Sequence, residues 1–238
     1  LGLRHRTMPG YLTKQESIAI AGEDDLLIRS LLDRQQFDDP LGLALALGIS
    51  SSNWPLFGLL WPSGAHLAAC MAVRPVRAGE RVLEIGCGLG LASLVGHRRG
   101  ADMTASDCHP LAEAFLQENL RLNGLPPMKY RHGQWGAAPD SSALAGHEVQ
   151  GEFDLIIGSD LLYERDPAGS LAAYIHLHAT PLAEVFIVDP DRGNRPAFNR
   201  EMADLGFGRV EHRLTHSLPV GAGTSSRYKG RLLAYRRR

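Results

Sequence analysis

From Arg81 onward, short apolar runs typical of strands alternate with longer amphipathic segments typical of helices. Strands are predicted at "RVLEI", "DMTAS", "MKYRH", "FDLIIGS", "AEVFIVD", "GRVEHRL" and "GRLLAYR", and helices at "LASLVGHRR", "PLAEAFLQENLRLNG", "PAGSLAAYIHLH" and "RPAFNREMADLG". Such alternation predicts right-handed crossovers and a parallel sheet covered on both faces. Because no helix separates the last two strands, we expect them to pair antiparallel at one edge. The predicted fold class is α/β, with a doubly wound, mostly parallel sheet of seven strands and an antiparallel C-terminal edge strand.

The first part of the chain lacks this alternation. A helix with Ile28 on its apolar face is one prediction for "EDDLLIRSLLDRQQF", and a strand over "LLIRSLL" is nearly as well supported. The turn-rich aromatic segment "SSSNWPLFGLLWPSGAHLAACMA" follows, and it is expected to lead into a short helix from about Ala65. The 238 residues, 44% of them hydrophobic, suffice for one large domain, predicted as residues 51–238, with an N-terminal extension over residues 1–50.

Charge and cysteine content limit the function classes. Lys and Arg number 25 against 26 Asp and Glu, which argues against nucleic acid as the main partner. Cys70, Cys87 and Cys108 form no C-x-x-C pair, so neither a disulfide framework nor a zinc site is indicated. No leader peptide or membrane span is recognisable, and a cytoplasmic location is expected. The histidines form no metal-binding pattern such as H-E-x-x-H, so no metal is predicted.

Three glycines follow the first strand of the alternating region, in the segment "VLEIGCGLGLASL". In a doubly wound sheet, ligands bind at the carboxyl ends of the strands, and the first strand-to-helix turn is the usual place. Gly86 and Gly88 lack a Cβ, so their backbone can adopt positive φ and lie directly against a ligand. Amides at the start of the next helix can meet a polar or anionic group.

The spacing of this loop separates two ligand classes, a dinucleotide and an adenosyl compound without a pyrophosphate. A dinucleotide loop has a third small residue where this chain has Leu91, since its third glycine, Gly90, falls one position early. The carboxylate of Glu84 would oppose a pyrophosphate, whereas it suits an ammonium or sulfonium group. The next strand ends at Asp107, whose two oxygens can accept both hydroxyls of a ribose.

At these residues the sequence resembles the class I, S-adenosylmethionine-dependent methyltransferases, whose fold is Rossmann-like. The resemblance covers about residues 54–238 and depends on "VLEIGCGLG", on "ASD" ending the second strand, on "QWG" after the third and on "FDLIIGSDLLY". It is closest to the seven-strand protein lysine methyltransferases (methyltransferase family 16), which combine a Trp-containing segment before the loop with a D-x-x-Y motif after the fourth strand. Here "LLWPSG" and Asp160-Leu161-Leu162-Tyr163 match those two features.

The resemblance implies S-adenosyl-L-methionine as cofactor and a role for each matching residue. In the glycine loop, Glu84, Gly86 and Gly88 would hold the methionine end of the cofactor, and Cys87 of the same loop is also assigned to the cofactor site. Asp107 would bind the ribose and Trp135 would lie beside the adenine. Ser159 would line the methyl-transfer site, and Trp61 would close the pocket. The side chain of Cys87 is interpreted as a small filler. Asp160 and Tyr163 are the expected catalytic residues: Asp160 would line the methyl-transfer site with Ser159 and orient the acceptor amine, and Tyr163 would contact that amine. A protein lysine is the expected acceptor.

Several alternatives remain open from the sequence. The three-residue spacing of Asp160 and Tyr163 places them on one side of a helical turn, where a helix cap and a packed tyrosine are the plainer interpretation. Asp191 or Arg192 could lie at the substrate mouth or only form a polar turn. The absence of an [N/D]-P-P-[Y/F] motif argues against nucleobase substrates, but a small-molecule amine stays possible. A dinucleotide oxidoreductase and a non-catalytic binding protein are the two other classes considered.

Overall fold

The computed structural model of the chain describes residues 11–36, 39, 41–136, 147–216, 218 and 228–237. Its strands are β1 (Thr13–Ile18), β2 (Leu26–Leu31), β3 (Arg81–Ile85), β4 (Asp102–Asp107), β5 (Lys129–His132), β6 (Phe153–Ser159), β7 (Ala179–Asp189), β8 (Phe207–Leu214) and β9 (Gly230–Arg237). Its α-helices are α1 (Leu43–Ala46), α2 (Pro62–Val73), α3 (Leu91–Arg98), α4 (Ala112–Leu122), α5 (Ser170–His178) and α6 (Arg195–Asp204), and a short 3-10 helix covers Leu56–Gly58.

The seven-stranded sheet has the order β5-β4-β3-β6-β7-β9-β8. The five strands from β3 to β7 pair in parallel, whereas β9 is antiparallel to both β7 and β8. This arrangement confirms the predicted doubly wound, mostly parallel sheet and its antiparallel C-terminal strand. The chain winds outward from β3 to β5 and then returns to β6 on the other side of β3. A crevice therefore forms beyond the carboxyl ends of β3 and β6, where such sheets bind ligands.

The segment before the sheet forms a hairpin, so the helix alternative around Ile28 is wrong and the strand alternative is confirmed. β1 and β2 pair antiparallel, from Thr13 opposite Leu31 to Ile18 opposite Leu26. Two asparagines bind the outer edge of β2. Asn119 of α4 accepts the Arg29 N–H through Oδ1 at 2.8 Å, and Asn123, directly after that helix, accepts the Leu27 N–H through Oδ1 at 2.9 Å. These side-chain bonds replace a neighbouring strand and stabilise an extended backbone where helical spacing also fitted.

Two hydrophobic clusters cover the two faces of the sheet. One contains Leu67 of α2, Leu94 of α3 and Phe115 of α4, and it also includes the buried side chains of the hairpin, Ile18 and Ile28 among them. The other cluster packs α5 and α6 against β6, β7 and β9. The hairpin thus shares its core with the residues around the central crevice. The division of the chain at residue 50 stays a prediction.

Candidate active site

The glycine loop between β3 and α3 has the backbone that the sequence predicts. Gly86, Gly88 and Gly90 have φ values of 58°, 52° and 71°. A Cβ on Gly86 would lie 2.6 Å from Leu161 Cδ2, and one on Gly88 would lie 2.8 Å from the Phe57 carbonyl oxygen. Both glycines nevertheless remain partly exposed, so their main chain faces open space. The loop therefore requires glycine at both positions and leaves a backbone surface free for a ligand.

Asp107, at the end of β4, holds this loop in place. Its Oδ2 accepts the Gly88 N–H at 2.8 Å and its Oδ1 accepts the His109 N–H at 2.9 Å, while only 6% of the residue is exposed. Burial raises the pKa of the Asp107 carboxyl, and the hydrogen bonds from these amides oppose that rise. Each carboxylate oxygen can accept a second hydrogen bond, so the fixed Asp107 keeps acceptor capacity for a hydroxyl group.

Glu84 lies beneath the loop and faces the start of α3. The residue is 3% exposed, and its Oε2 accepts hydrogen bonds from the Ser93 N–H at 2.8 Å and from the Ser93 hydroxyl. Burial raises the pKa of Glu84 to about 7 although these bonds favour the carboxylate, and the nearby charge of Asp107 raises it further. The carboxylate thus joins β3 to the first turn of α3. Its predicted contact with the methionine end of the cofactor stays a prediction.

Glu84→Gln should increase the stability of the protein at alkaline pH. Because the Glu84 pKa of about 7 exceeds its ordinary value of 4.5, the folded state binds the proton more tightly than the unfolded state. The cost of the buried charge is therefore small below pH 4.5 and complete above pH 7. We expect the stability difference between Glu84→Gln and wild type to grow by on the order of 2 kcal/mol from pH 5 to pH 8.

Urea unfolding of both proteins at pH 5, 6, 7 and 8 measures this difference. Glu113→Gln is the matched control, because Glu113 is exposed at the start of α4. A difference for Glu84→Gln that stays constant or shrinks as the pH rises would show that the buried carboxylate carries no such cost.

The two predicted cofactor tryptophans have different neighbours near the loop. Trp135 is half-buried, and its Cη2 is 3.4 Å from the position of a Cβ on Gly86. The ring of Trp135 also lies 6.0 Å from that of Tyr174 in α5. Trp61, the residue before α2, donates its indole N–H to the Leu56 carbonyl at 3.0 Å, next to the segment that contacts Gly88. Trp135 therefore lies next to the loop at Gly86, whereas Trp61 supports the neighbouring 3-10 helix.

Ser159 and Asp160 follow β6 at the same edge of the sheet. The Ser159 Oγ lies 3.7 Å from the position of a Cβ on Gly64 in α2, so this serine faces the start of that helix. Asp160 has a left-handed backbone with φ of 56°, and its N–H donates to the Val188 carbonyl at 3.0 Å. Its carboxylate Oδ1 is 2.8 Å from Arg192 Nη2. These contacts fix the direction of the Asp160 side chain.

Tyr163 does not share a helical turn with Asp160, so that expectation is wrong. The left-handed Asp160 ends the regular backbone, residues 162 and 163 form a turn, and no helix begins before Ser170. Asn194 holds this turn by donating to the carbonyls of Leu162 and Glu164, both at 2.9 Å. Tyr163 is 43% exposed, at the rim of a cavity of about 530 Å³ that Trp135 and Leu161 also line.

Some residues of this site were missed by sequence reasoning. Ser93 binds Glu84, and the buried Asp189 accepts the Arg192 N–H through Oδ2 at 2.9 Å. His109 stacks on Phe57 with ring centroids 3.8 Å apart. The sequence offered two signals for them, the acid that ends β7, Asp189, and the polar residue in the first turn of α3, Ser93. A larger groove of about 960 Å³ lies between α6 and β8 and contains no predicted site residue.

The described residues contain neither a metal-binding cluster nor a membrane-spanning helix. Within them, no group of three or more His, Cys, Asp and Glu side chains is arranged to hold a metal ion. Among the helices in that same part of the chain, none has the length and apolar character required to cross a bilayer.

Comparison with solved structures agrees with this architecture. The magnesium protoporphyrin IX methyltransferase of Synechocystis PCC 6803, solved with bound SAM, superposes with a TM-score of 0.54 at 18% identity, covering 74% of this chain and 78% of the other. A ribosomal protein L11 methylase from Lactobacillus delbrueckii superposes with a TM-score of 0.50 at 20% identity, covering 74% and 78%. At this level of identity the likeness confirms the Rossmann-like fold.

Sequence comparison identifies similar proteins that are named as lysine methyltransferases. The electron transfer flavoprotein beta subunit lysine methyltransferase of Danio rerio is 30% identical over 168 residues, which are 68% of this chain and 57% of the relative. The calmodulin-lysine N-methyltransferase of Arabidopsis thaliana is 29% identical over 157 residues, 62% of this chain and 50% of the relative. The chain therefore spans about half the length of these relatives.

A family model described as lysine methyltransferase matches residues 58–194, more than half of the chain. The matched region runs from the 3-10 helix through the glycine loop and Asp107 to the turn after β7, and so contains the Trp-containing segment, Asp160 and Tyr163. The match confirms the family predicted from the sequence and, with it, S-adenosylmethionine as cofactor. The chain belongs to the lysine methyltransferase family, methyltransferase family 16.

Proposed function

We propose that this chain transfers a methyl group from S-adenosylmethionine to the side-chain amine of a lysine in a protein. The observation that carries the proposal is the position of Asp160, which lies at the same edge of the sheet as the glycine loop fixed by Asp107. One wall of the crevice is therefore suited to a nucleoside and the other offers an oriented carboxylate. The family match adds the lysine acceptor.

The loop residues suit an adenosyl cofactor. The main chain of Gly86 and Gly88 is partly exposed, and neither position accepts a Cβ without a collision. Asp107 would accept the ribose hydroxyls, and Trp135, next to Gly86, would lie against the adenine. The contact of Glu84 with the methionine end would use the side of the carboxylate away from Ser93. When bound, the cofactor supplies an activated methyl whose bond to sulfur breaks as the bond to the amine nitrogen forms, leaving a neutral thioether.

The acceptor side of the site must present a neutral amine. A lysine amine has an ordinary pKa near about 10.4, and burial lowers it because a charged ammonium loses its hydration. Asp160 would accept a hydrogen bond from the amine and direct its lone pair, while Tyr163 would contact the alkyl chain at the rim. Alignment and exclusion of water are the main contributions that these residues can make to the rate. The extra proton leaves the product for solvent.

The acceptor class is supported by the relatives, which are named for lysines of electron transfer flavoprotein beta subunit and of calmodulin. Both are proteins, and we propose a protein substrate here too, selected in part by the N-terminal extension of residues 1–50 ahead of a methyltransferase domain over residues 51–238. The hairpin of that extension packs on α4, so it can present a substrate-facing surface beside the site. A small-molecule amine is the second candidate.

Incubation with labelled S-adenosylmethionine and a heat-treated cell-protein extract should give label in protein that hydrolyses to methyllysine. Electron transfer flavoprotein beta subunit and calmodulin are the first purified acceptors to try. Asp160→Asn should lower the rate by about 100-fold, because the amide holds the acceptor amine less well. Asp154→Asn is the control at the other end of β6, where Asp154 accepts the Arg81 N–H. Label confined to small molecules would favour the second candidate, and bound cofactor without any transfer would contradict catalysis.

A further inference from the structure

Arg192 occupies a fixed position in the turn between β7 and α6. Its backbone N–H donates to Oδ2 of the fully buried Asp189, and the preceding Asp191 has a left-handed backbone with φ of 65°. Its guanidinium reaches back to Asp160, with Nη2 2.8 Å from Oδ1. The backbone of Arg192 is thus bound at the end of β7, while its guanidinium contacts Asp160, directly after the adjacent strand β6.

The Asp160 carboxylate is therefore already partnered by a cation on one oxygen. An uncompensated carboxylate beside an acceptor amine would stabilise the ammonium form, because opposite charges favour the charged state of both groups. An ammonium has no free lone pair and cannot accept a methyl group. A carboxylate with a paired charge still accepts a hydrogen bond through its second oxygen but attracts an ammonium much less.

We propose that Arg192 is a positioning residue that neutralises Asp160 and thereby lets the acceptor lysine bind as a neutral amine. The inference rests on the proposed function. In this proposal Arg192 sets the pH range of methyl transfer, and Asp160 orients the acceptor amine.

Substituting Arg192 leaves the other charged and titratable groups around Asp160 unchanged. Asp189 and Tyr228 approach Asp160 and Arg192 from β7 and from the residues before β9, and Tyr163 approaches from the turn after β6. Asp191 is bound to Arg195 at 3.0 Å and to Arg231 at 3.1 Å, so its charge is compensated away from Asp160. The guanidinium of Arg192 is therefore the cation that directly contacts Asp160 in the described part of the chain.

The test compares Arg192→Met and Arg192→Lys with wild type in methyl transfer to lysine, using the heat-treated extract as acceptor from pH 6.5 to 9.5. We expect the rise of kcat with pH to move upward by about one unit for Arg192→Met, with a rate at pH 7 about 10-fold lower and recovery at pH 9.5. KM should not increase, since the exposed carboxylate attracts an ammonium. Arg192→Lys should restore most of the wild-type profile because it keeps the charge.

The controls separate this inference from the proposed function. Arg121→Met removes an arginine that also pairs with an acid, Glu118, but on the exposed surface of α4, and it should leave the profile unchanged. Binding of S-adenosylhomocysteine, measured by calorimetry, should be equal in all variants. A uniform loss of rate at every pH, or a raised KM with an unchanged profile, overturns the role of Arg192 alone. A wild type that binds cofactor but labels no lysine overturns the proposed function and this inference with it.

Discussion

Replacing Gly88 with alanine should reduce the affinity for S-adenosylhomocysteine by at least about 100-fold and lower the Tm by about 10 °C. The added methyl group would lie 2.8 Å from the Phe57 carbonyl oxygen, which belongs to the backbone and has little freedom to move. The loop must shift, and the shift breaks the bond from the Gly88 N–H to Asp107. Left-handed backbone costs about 1 kcal/mol for alanine and the collision adds about 2 kcal/mol.

Gly79→Ala isolates the collision from the backbone effect. Gly79 has φ of 78°, but a Cβ there would meet no atom within 4 Å. This variant carries the same conformational cost without a clash, so we expect a Tm decrease of about 3 °C and unchanged cofactor affinity. Calorimetry and thermal unfolding of both variants decide the matter. Equal effects at Gly79 and Gly88 would mean that the contact with Phe57 is unimportant for the site.

Asp107→Asn should weaken S-adenosylhomocysteine binding by about 100-fold. The carboxylate accepts two backbone N–H groups, one on each oxygen, whereas an asparagine has a single acceptor oxygen. Either Gly88 or His109 would then face an amide N–H₂ group that cannot accept its hydrogen bond. The loop loses an anchor and the ribose loses an acceptor, so binding should weaken by about 2.7 kcal/mol, while the protein also loses about 1 to 3 kcal/mol of stability.

Asp102→Asn provides the control on the same strand. Asp102 begins β4 at the opposite end, where its carboxylate pairs with Lys129 at 2.7 Å on the exposed surface. Such a pair contributes less than about 1 kcal/mol, and its loss should not affect the cofactor. If Asp107→Asn and Asp102→Asn bound S-adenosylhomocysteine equally well, the ribose role predicted for Asp107 would be wrong.

Most of the correct sequence predictions follow from local patterns of apolar residues and glycines along the chain. The strands and helices from Arg81 onward follow from apolar periodicity and chain order, which together determine a parallel sheet. The positive φ values of Gly86 and Gly88 follow from their place after a buried strand. In the segment around Ile28 the two periodicities fitted nearly equally well. Pairing with β1 and the contact with Asn119 of α4, 90 residues away, favour the strand.

Side-chain partners across the fold could not be predicted in this way. Asp160 and Arg192 are 32 residues apart, and their contact depends on how the turns after β6 and β7 meet. The orientation of Glu84 toward Ser93 likewise depends on the first turn of α3 returning over the strand. A sequence indicates that an acid belongs to the site, but burial and tertiary geometry decide which partner it binds.

The two asparagines that bind β2, Asn119 in α4 and Asn123 directly after that helix, have a consequence for protein engineering. Asn119 and Asn123 complete the hydrogen bonds of the hairpin backbone, so the hairpin and the helix form one structural unit. A hairpin transplanted from a relative to change substrate choice would need both asparagines in its new host, since unpaired backbone groups are costly. The unit to exchange between relatives is therefore the hairpin together with Asn119 and Asn123, and not the hairpin residues alone.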